Sequence, residues 1–395
     1  MNYIKSFSIV VVSGLILTGC GPTKSVSFTQ INPINAETVP LKNGKISDAE
    51  LLRWSHLDIV KDTIPGMSVD RAYNELLKNK PSQKIIVAVI DSGTDIEHDD
   101  LKGRVWTNTK EIPGNGIDDD KNGYVDDVHG WNFLGNANGE NQDNARLEKT
   151  RIYAKLKDKY DGVDPATLFD DTEYFMYANA KAEVEGELEN LAQYKEGLAN
   201  GQFDAETKKY IEDQLNYNLN IYFDDRSLIG DNPDDFSNTI YGNNNVMGPD
   251  AGHGTHVAGI IGAVRNNEIG IDGIASNVRI MAIRAVPDGD ERDKDVGNAI
   301  RYAVDNGANI INMSFGKSFS PNKTYVDDAI AYAASKNVLM VHAAGNDGVN
   351  IDKESNYPNA KSFTGSKSEF PWIEVGAISS NGLIAEFSNF GGGTV

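Results

Sequence analysis

The sequence predicts an α/β fold, a doubly wound and mostly parallel sheet interrupted by a helical insertion. Short β-branched runs bounded by polar residues recur at KIIVAVID (84–91), RIMAIRAV (279–286), NIINMSF (309–315), VLMVHAAGN (338–346) and WIEVGAIS (372–379). Continuous apolar runs of this length mark strands covered on both faces. Amphipathic helical stretches alternate with them. DVGNAIRYAVDNG (295–307) carries Val296, Ala299, Ile300, Ala303 and Val304 on one face, with Gly307 as its C-cap. YVDDAIAYAASKN (325–337) repeats the stripe with Val326, Ala329, Ile330, Ala333 and Ala334. Strand–helix alternation of this kind gives a parallel sheet with helices on both faces.

The elements follow in order. At the N-terminus, MNYIKSFSIVVVSGLILTGC has an early lysine and an apolar run from Phe7 to Leu17, too short for a comfortable span and suited to a secretory signal over 1–19. Its LTGC ending resembles the bacterial lipoprotein box, which implies cleavage before Cys20 and lipidation of its thiol. Cys20 is the single cysteine, so no intrachain disulfide forms. Residues 20–45 are polar and aperiodic, a tether. SDAELLRWSHLDIV (47–60) reads as a short helix, and Ser68 as the N-cap of a second one striped by Ala72, Leu76 and Leu77. Residues 134–245 lack sheet-type runs and hold three helical stretches, ARLEKTRIYAKLKDKY (145–160), 164–201 and 204–223. Asp164-Pro165 opens the middle one, with Val184, Leu188, Leu191 and Leu198 on one face.

Composition narrows the function. Lys plus Arg number 37 against 58 Asp plus Glu, a formal charge of −21, which argues against a nucleic-acid partner because phosphates need basic side chains to displace counterions. Part of the acidity is concentrated in NGIDDDKNGYVDDVHGWNF (115–133). Asp118, Asp120 and Asn122 alternate, Gly123 allows a tight turn, the Tyr124 carbonyl is available, and Asp126 and Asp127 follow. Oxygen ligands at alternate positions wrap one hard cation, so a calcium site of Asp118, Asp120, Asn122, Tyr124 and Asp126 is expected. The last position departs from the EF-hand pattern, His129 standing where a bidentate Glu belongs.

In open α/β sheets, active groups collect at the carboxyl ends of strands. Asp91 ends KIIVAVID, and Asn346 ends VLMVHAAGN. His253 lies where a loop meets the apolar helix of AGHGTHVAGIIGA (251–263). A helix N-terminus disfavours positive charge on a nearby ring, so His253 is expected to stay neutral and able to take a proton near neutral pH.

These blocks carry a resemblance. VIDSGTDIEHDDL, GHGTHVAGIIGA, NIINMSFG and AAGNDG, in that order, then YPNA (357–360), VGAIS and FSNFG, are similar to the subtilisin-like serine peptidases, the subtilases of peptidase family S8. The likeness covers roughly 68–133 and 246–395. It implies a subtilisin-like domain in two parts, 46–133 with the calcium-type loop and 246–395, around the insertion 134–245. It further implies that Asp91 is the triad carboxylate, His253 the general base and Asn346 an oxyanion donor. Ser314, Phe315 and Gly316 would line the cleft as a backbone edge for an extended polypeptide substrate, and Gly345 the floor of the primary specificity pocket. The family's nucleophile lies in a G-T-S-M-A-type segment downstream of the FSNFG block, and this chain stops at FSNFGGGTV. Ser314 belongs to the cleft wall, Ser320-Pro-Asn-Lys323 fits S-x-x-K only superficially with Pro321 in it, and Ser362, Ser366 and Ser368 lie in a loop with no base nearby in sequence. The expectation is a cell-envelope serine endopeptidase, held to the outer membrane or cell surface by its lipid and cut short before the catalytic serine. The alternative is a complete, non-catalytic, calcium-binding scaffold that holds peptides or partners.

Overall fold

In the computed structural model, the described residues are 39–42, 44–361 and 371–395, with the side chains of 195 and 196 excepted. The signal, Cys20, most of the tether, and Ser362, Ser366 and Ser368 therefore lie outside the described residues. The unit Pro40–Val395 is built on a six-stranded sheet: β1 Ile85–Asp91, β2 Gly130–Asn132, β3 Val278–Arg284, β4 Ile310–Met313, β5 Leu339–Ala343 and β6 Trp372–Val375. The spatial order is β2-β3-β1-β4-β5-β6, with every neighbouring pair parallel. The register pairs Asp91 with Arg284, and Val87 with both Ile280 and Ile310.

Central β1 shows why a continuous apolar run was needed. Ala88 and Ile90 face one layer, where Met281, Ile283, Ile311 and Met340 meet the stripes of α5 (Asp293–Asp305) and α6 (Lys323–Ser335). Val87 and Val89 face the other, against Ile280 and Ala258 of α4 (Gly252–Gly262). Each such aliphatic side chain removed from water contributes about 1.5–3 kcal/mol, so both faces of this strand are anchored by its own composition.

The stretch between β2 and α4 contains α1 (Glu148–Tyr160), α2 (Thr172–Ala192) and α3 (Ala205–Asp213). Helices α1 and α2 form a small core of their own from Ile152, Leu156, Tyr160, Tyr177 and Ala180. Asp171 caps α2 by accepting from the Tyr174 amide, and Asp204 caps α3 through the Thr207 amide.

Several local expectations are corrected. Asp164-Pro165 opens only a 3-10 turn, Pro165–Thr167, and the long helix starts at Thr172. Ser68 makes no cap hydrogen bond: its φ of 57° puts it in the left-handed region, and its hydroxyl serves Asp58 instead. Leu76 and Leu77 are about half exposed, at 52% and 48%, so the stripe proposed there is not a core face. The last strand ends at Val375, well short of Ser379.

Candidate active site

Asp91 is the last residue of β1 and is 2% exposed. Its Oδ1 accepts from the Ser92 amide at 2.8 Å and meets His253 Nδ1 at 2.7 Å. Two glycines permit that contact. A Cβ on Gly254 would stand 2.1 Å from the Gly93 carbonyl oxygen and 3.0 Å from Asp91 Cβ. Gly93 itself has φ +141°, and a Cβ there would lie 2.1 Å from the Met247 carbonyl oxygen. The first turn of α4 can therefore be pressed against the exit of β1, with Thr255 Oγ1 accepting from the Asp95 amide at 2.8 Å.

With Nδ1 committed to a carboxylate, the neutral ring carries its proton there and leaves Nε2 as the acceptor, an assignment that follows from the hydrogen bond. The His253 side chain is 59% exposed, so the rest of the ring faces solvent. The Asp91 hydrogen bond raises the His253 pKa above its ordinary value, desolvation opposes the rise, and the negative charges of Asp91 and Asp250 add to it. The direction is opposite to the one expected from the helix terminus: the Asp91 hydrogen bond and the nearby carboxylates favour the protonated ring.

Asn346 lies three residues past β5, exposed, on the same carboxyl-end side of the sheet as Asp91, with β4 between the two strands. Its loop is held by a residue that the sequence reading did not single out. Asn389 accepts from the amides of Asp347 at 2.9 Å and Val349 at 3.1 Å, and donates to the Ala344 carbonyl at 2.9 Å. Gly345 has φ +104°, and a Cβ there would lie 2.4 Å from Asn389 Nδ2, so glycine is required on two counts. The signal for Asn389 was the FSNFG block itself, read as a family mark and not as a staple.

Ser314, Phe315 and Gly316 follow β4. Pairing between β4 and β5 ends at Met313 with His342, and the chain next pairs at Lys317, antiparallel to Tyr357. The three residues thus cross a gap in the ladder. Ser314 Oγ accepts from Asn312 Nδ2 at 2.9 Å, Phe315 packs on the main core, and a Cβ on Gly316 would meet Asn356 Oδ1 at 2.3 Å. A cavity of about 420 Å³ adjoins this edge, lined by Gly316, Asn356, Asp347 and Asn389 on the sheet side and by Glu183 and Glu187 from α2. Ser320 donates its hydroxyl to Asp293 at 2.9 Å. Among the described residues, the His253 side chain is hydrogen-bonded to Asp91 alone.

The acidic loop folds differently from the expected wrap. Carboxylate oxygens of Glu111, Asp118 and Asp120 come within 4.8 Å of one another. Glu111 is 6% exposed; its Oε1 accepts from the Asp119 and Asp120 amides at 3.0 Å each, while Oε2 is buried without a partner. Asp126 turns away, its oxygens accepting from the amides of Gly114 and Gly116 at 2.8 Å. Asn122 Oδ1 accepts from the Tyr124 amide at 2.8 Å. The carboxylates brought together are Glu111, Asp118 and Asp120, and Asp126, bonded to the Gly114 and Gly116 amides, is not among them. Glu111 lies seven residues ahead of the motif, where alternation along the loop gives no sign of it. Three hard oxygen donors, one of them orphaned in a dry position, fit a calcium ion.

A sequence profile described as the Subtilase family matches residues 82–394. The thermophilic serine proteinase of Bacillus sp. (strain AK1) is 40% identical over 141 residues, 35% of this chain and 32% of that protein. Subtilisin BL of Lederbergia lenta is 36% identical over 144 residues, 36% of this chain and 48% of that protein. The matches thus span about a third to a half of these curated relatives. Among solved structures, the epidermin leader peptide processing serine protease EpiP of Staphylococcus aureus is 17% identical with a TM-score of 0.45, covering 89% of this chain and 57% of that one.

Proposed function

This chain belongs to the subtilase family, and from that premise we propose that the protein is a serine endopeptidase hydrolysing peptide bonds through an acyl-enzyme. The Asp91–His253 contact of 2.7 Å at the exit of the central strand carries the reading. His253 Nε2 takes the proton of the attacking hydroxyl, and Asp91 holds the ring in the required tautomer and stabilises the imidazolium. The imidazolium then returns the proton to the leaving amine. Asn346 donates its side-chain amide to the oxyanion. Residues 314–316 pair with an extended polypeptide as an added strand, and Gly345 lies beneath the side chain preceding the cleaved bond.

The nucleophile in this reading is a serine; among the described residues no serine hydroxyl is hydrogen-bonded to His253, whose side chain is bonded to Asp91 alone. The hydroxyls of Ser314 and Ser320 are engaged with Asn312 and Asp293, which supports assigning the role elsewhere. The test uses a fluorophosphonate probe. The whole gene product should be labelled on one serine and a His253→Ala variant should not be; a gene product that takes no label would overturn the proposal. Lipidation at Cys20, placing the enzyme in the cell envelope, is tested by membrane pelleting, which Cys20→Ser should abolish.

Glu111, Asp118 and Asp120 would hold calcium, whose charge offsets the repulsion among their carboxylates. Calcium at 100-fold above its Kd should stabilise the fold by about 2.7 kcal/mol, read as a fall of several degrees in Tm on chelation. Glu111→Gln should remove that dependence. A Tm that ignores both chelator and calcium refutes the site.

A further inference from the structure

The insertion grips the edge against which a peptide would lie. From α1, Glu148 accepts from Lys317 Nζ at 2.7 Å and from Arg151 Nη2 at 2.7 Å, while its amide donates to Asp290 Oδ2 at 2.7 Å. Arg151 donates to the carbonyls of Asp290 at 3.0 Å and Glu291 at 3.2 Å. Lys317 donates to the Glu291 carbonyl at 2.7 Å and pairs with Asp293 at 2.9 Å. Glu148, Arg151 and Lys317 are 6%, 7% and 6% exposed.

The placement of these contacts decides what they do. Lys317 directly follows Gly316, the last residue of the open edge. Asp290 and Glu291 belong to the loop after β3. Because the sheet runs β3-β1-β4, these two segments flank the exit of β1, where Asp91 lies. Burial works against the Glu148 charge, but the cations of Arg151 and Lys317 overcome it and hold the carboxyl below its usual range. Apolar contact could hold the loops just as firmly, and a buried ion pair gains little over it. What directional bonds of fixed length add is a defined spacing between the backbones they join.

We propose that Glu148 is a positioning residue for the substrate: through the bonds of its carboxylate to Lys317 and Arg151 it fixes the spacing between the loop after β3 and the 314–316 edge. The inference rests on the reading of 314–316 as the peptide-binding edge.

The test uses the 395-residue chain and a fluorescein-labelled, lysine-containing decapeptide, lysine being chosen because Glu183, Glu187 and Asp347 line the adjoining cavity. Anisotropy gives the affinity, and amide hydrogen exchange gives the local opening. Glu148→Gln should weaken binding at least tenfold and speed exchange at least tenfold over 288–291 and 314–317, with β1 and β5 unchanged. Glu148→Asp should restore part of the affinity. Should Glu148→Gln not fold, Arg151→Lys, which keeps the charge but cannot span two carbonyls, should produce the same local loosening. Wild-type affinity and exchange in a folded variant, or exchange that rises uniformly through the sheet, refutes the positioning role. A wild-type chain that does not bind the peptide refutes the binding edge and the inference with it, whereas normal wild-type binding with an indifferent variant refutes the inference alone.

Discussion

Asp91→Asn is expected to lower kcat/KM of the proposed peptidase about 10⁴-fold, the scale this change has in a Ser-His-Asp triad. The substitution preserves shape, since Asn fills the same 2%-exposed position at the end of β1. It removes the negative charge that stabilises the imidazolium: the introduced amide oxygen can keep accepting from the Ser92 amide and from His253 Nδ1, but it carries no charge. The pH profile separates this from a packing defect. Catalysis needs the neutral ring, and the Asp91 hydrogen bond raises its pKa above the ordinary 6.5, so kcat/KM of the wild type should rise with pH through a midpoint above that value. In the variant the acid limb should shift to lower pH. The stability sign is opposite to that of activity: the raised pKa contributes stability below the unfolded value and loses it as pH rises through the folded one. An Asp91→Asn enzyme retaining a tenth or more of wild-type kcat/KM refutes Asp91 as the triad carboxylate.

How much of this was legible in the sequence depended on the range of the interaction concerned. Strand β1 and the stripes of α5 and α6 are encoded in local periodicity, because burial on one or both faces imposes a repeat on neighbouring residues. Asp91, His253 and Asn346 were visible at element ends next to glycines that permit close approach. Ser68 misled because the cap rule assumes extended backbone at that position, whereas tertiary contacts put it in the left-handed region and gave its hydroxyl to Asp58. Asp164-Pro165 has the composition of a helix start, yet it yields a single 3-10 turn before Asp171 caps the long helix. The direction of the His253 shift was hidden for a similar reason: the helix terminus is a local feature, and the carboxylate that raises the pKa is 162 positions away. Glu111 and the Glu148–Lys317 pair, 169 positions apart, have no periodic signature at all. Their partners are chosen by the fold, and only coordinates reveal them.

The second large effect is on stability. Asp295, in the first turn of α5, is fully buried and accepts from both terminal nitrogens of Arg226 at 2.8 Å and from the Tyr241 hydroxyl at 2.5 Å. Arg226 also reaches Asp231 at 2.7 Å, and Asp231 receives Lys294 at 2.7 Å. Three residues of the insertion, Arg226, Asp231 and Tyr241, are thereby bound to the start of the helix that covers the sheet. Asp295→Ala leaves a buried guanidinium with one carboxylate in place of two and deprives Tyr241 of an acceptor, which should cost about 3–5 kcal/mol. Against a total stability on the order of 5–15 kcal/mol, the variant should be extensively unfolded by heat or denaturant under conditions the wild type survives. The double variant Asp295→Leu, Arg226→Met discriminates the cause. It removes both charges together, retains the Asp231–Lys294 pair, and leaves Tyr241 its contact with Asn298 at 3.1 Å. If the loss arises from an unmatched buried charge, the double variant should recover to within about 1–2 kcal/mol of wild type or exceed it. If the double variant is as unstable as the single one, the bidentate geometry itself, and not charge balance, holds the insertion to α5. A single variant with wild-type denaturation would show that the network contributes nothing to the fold.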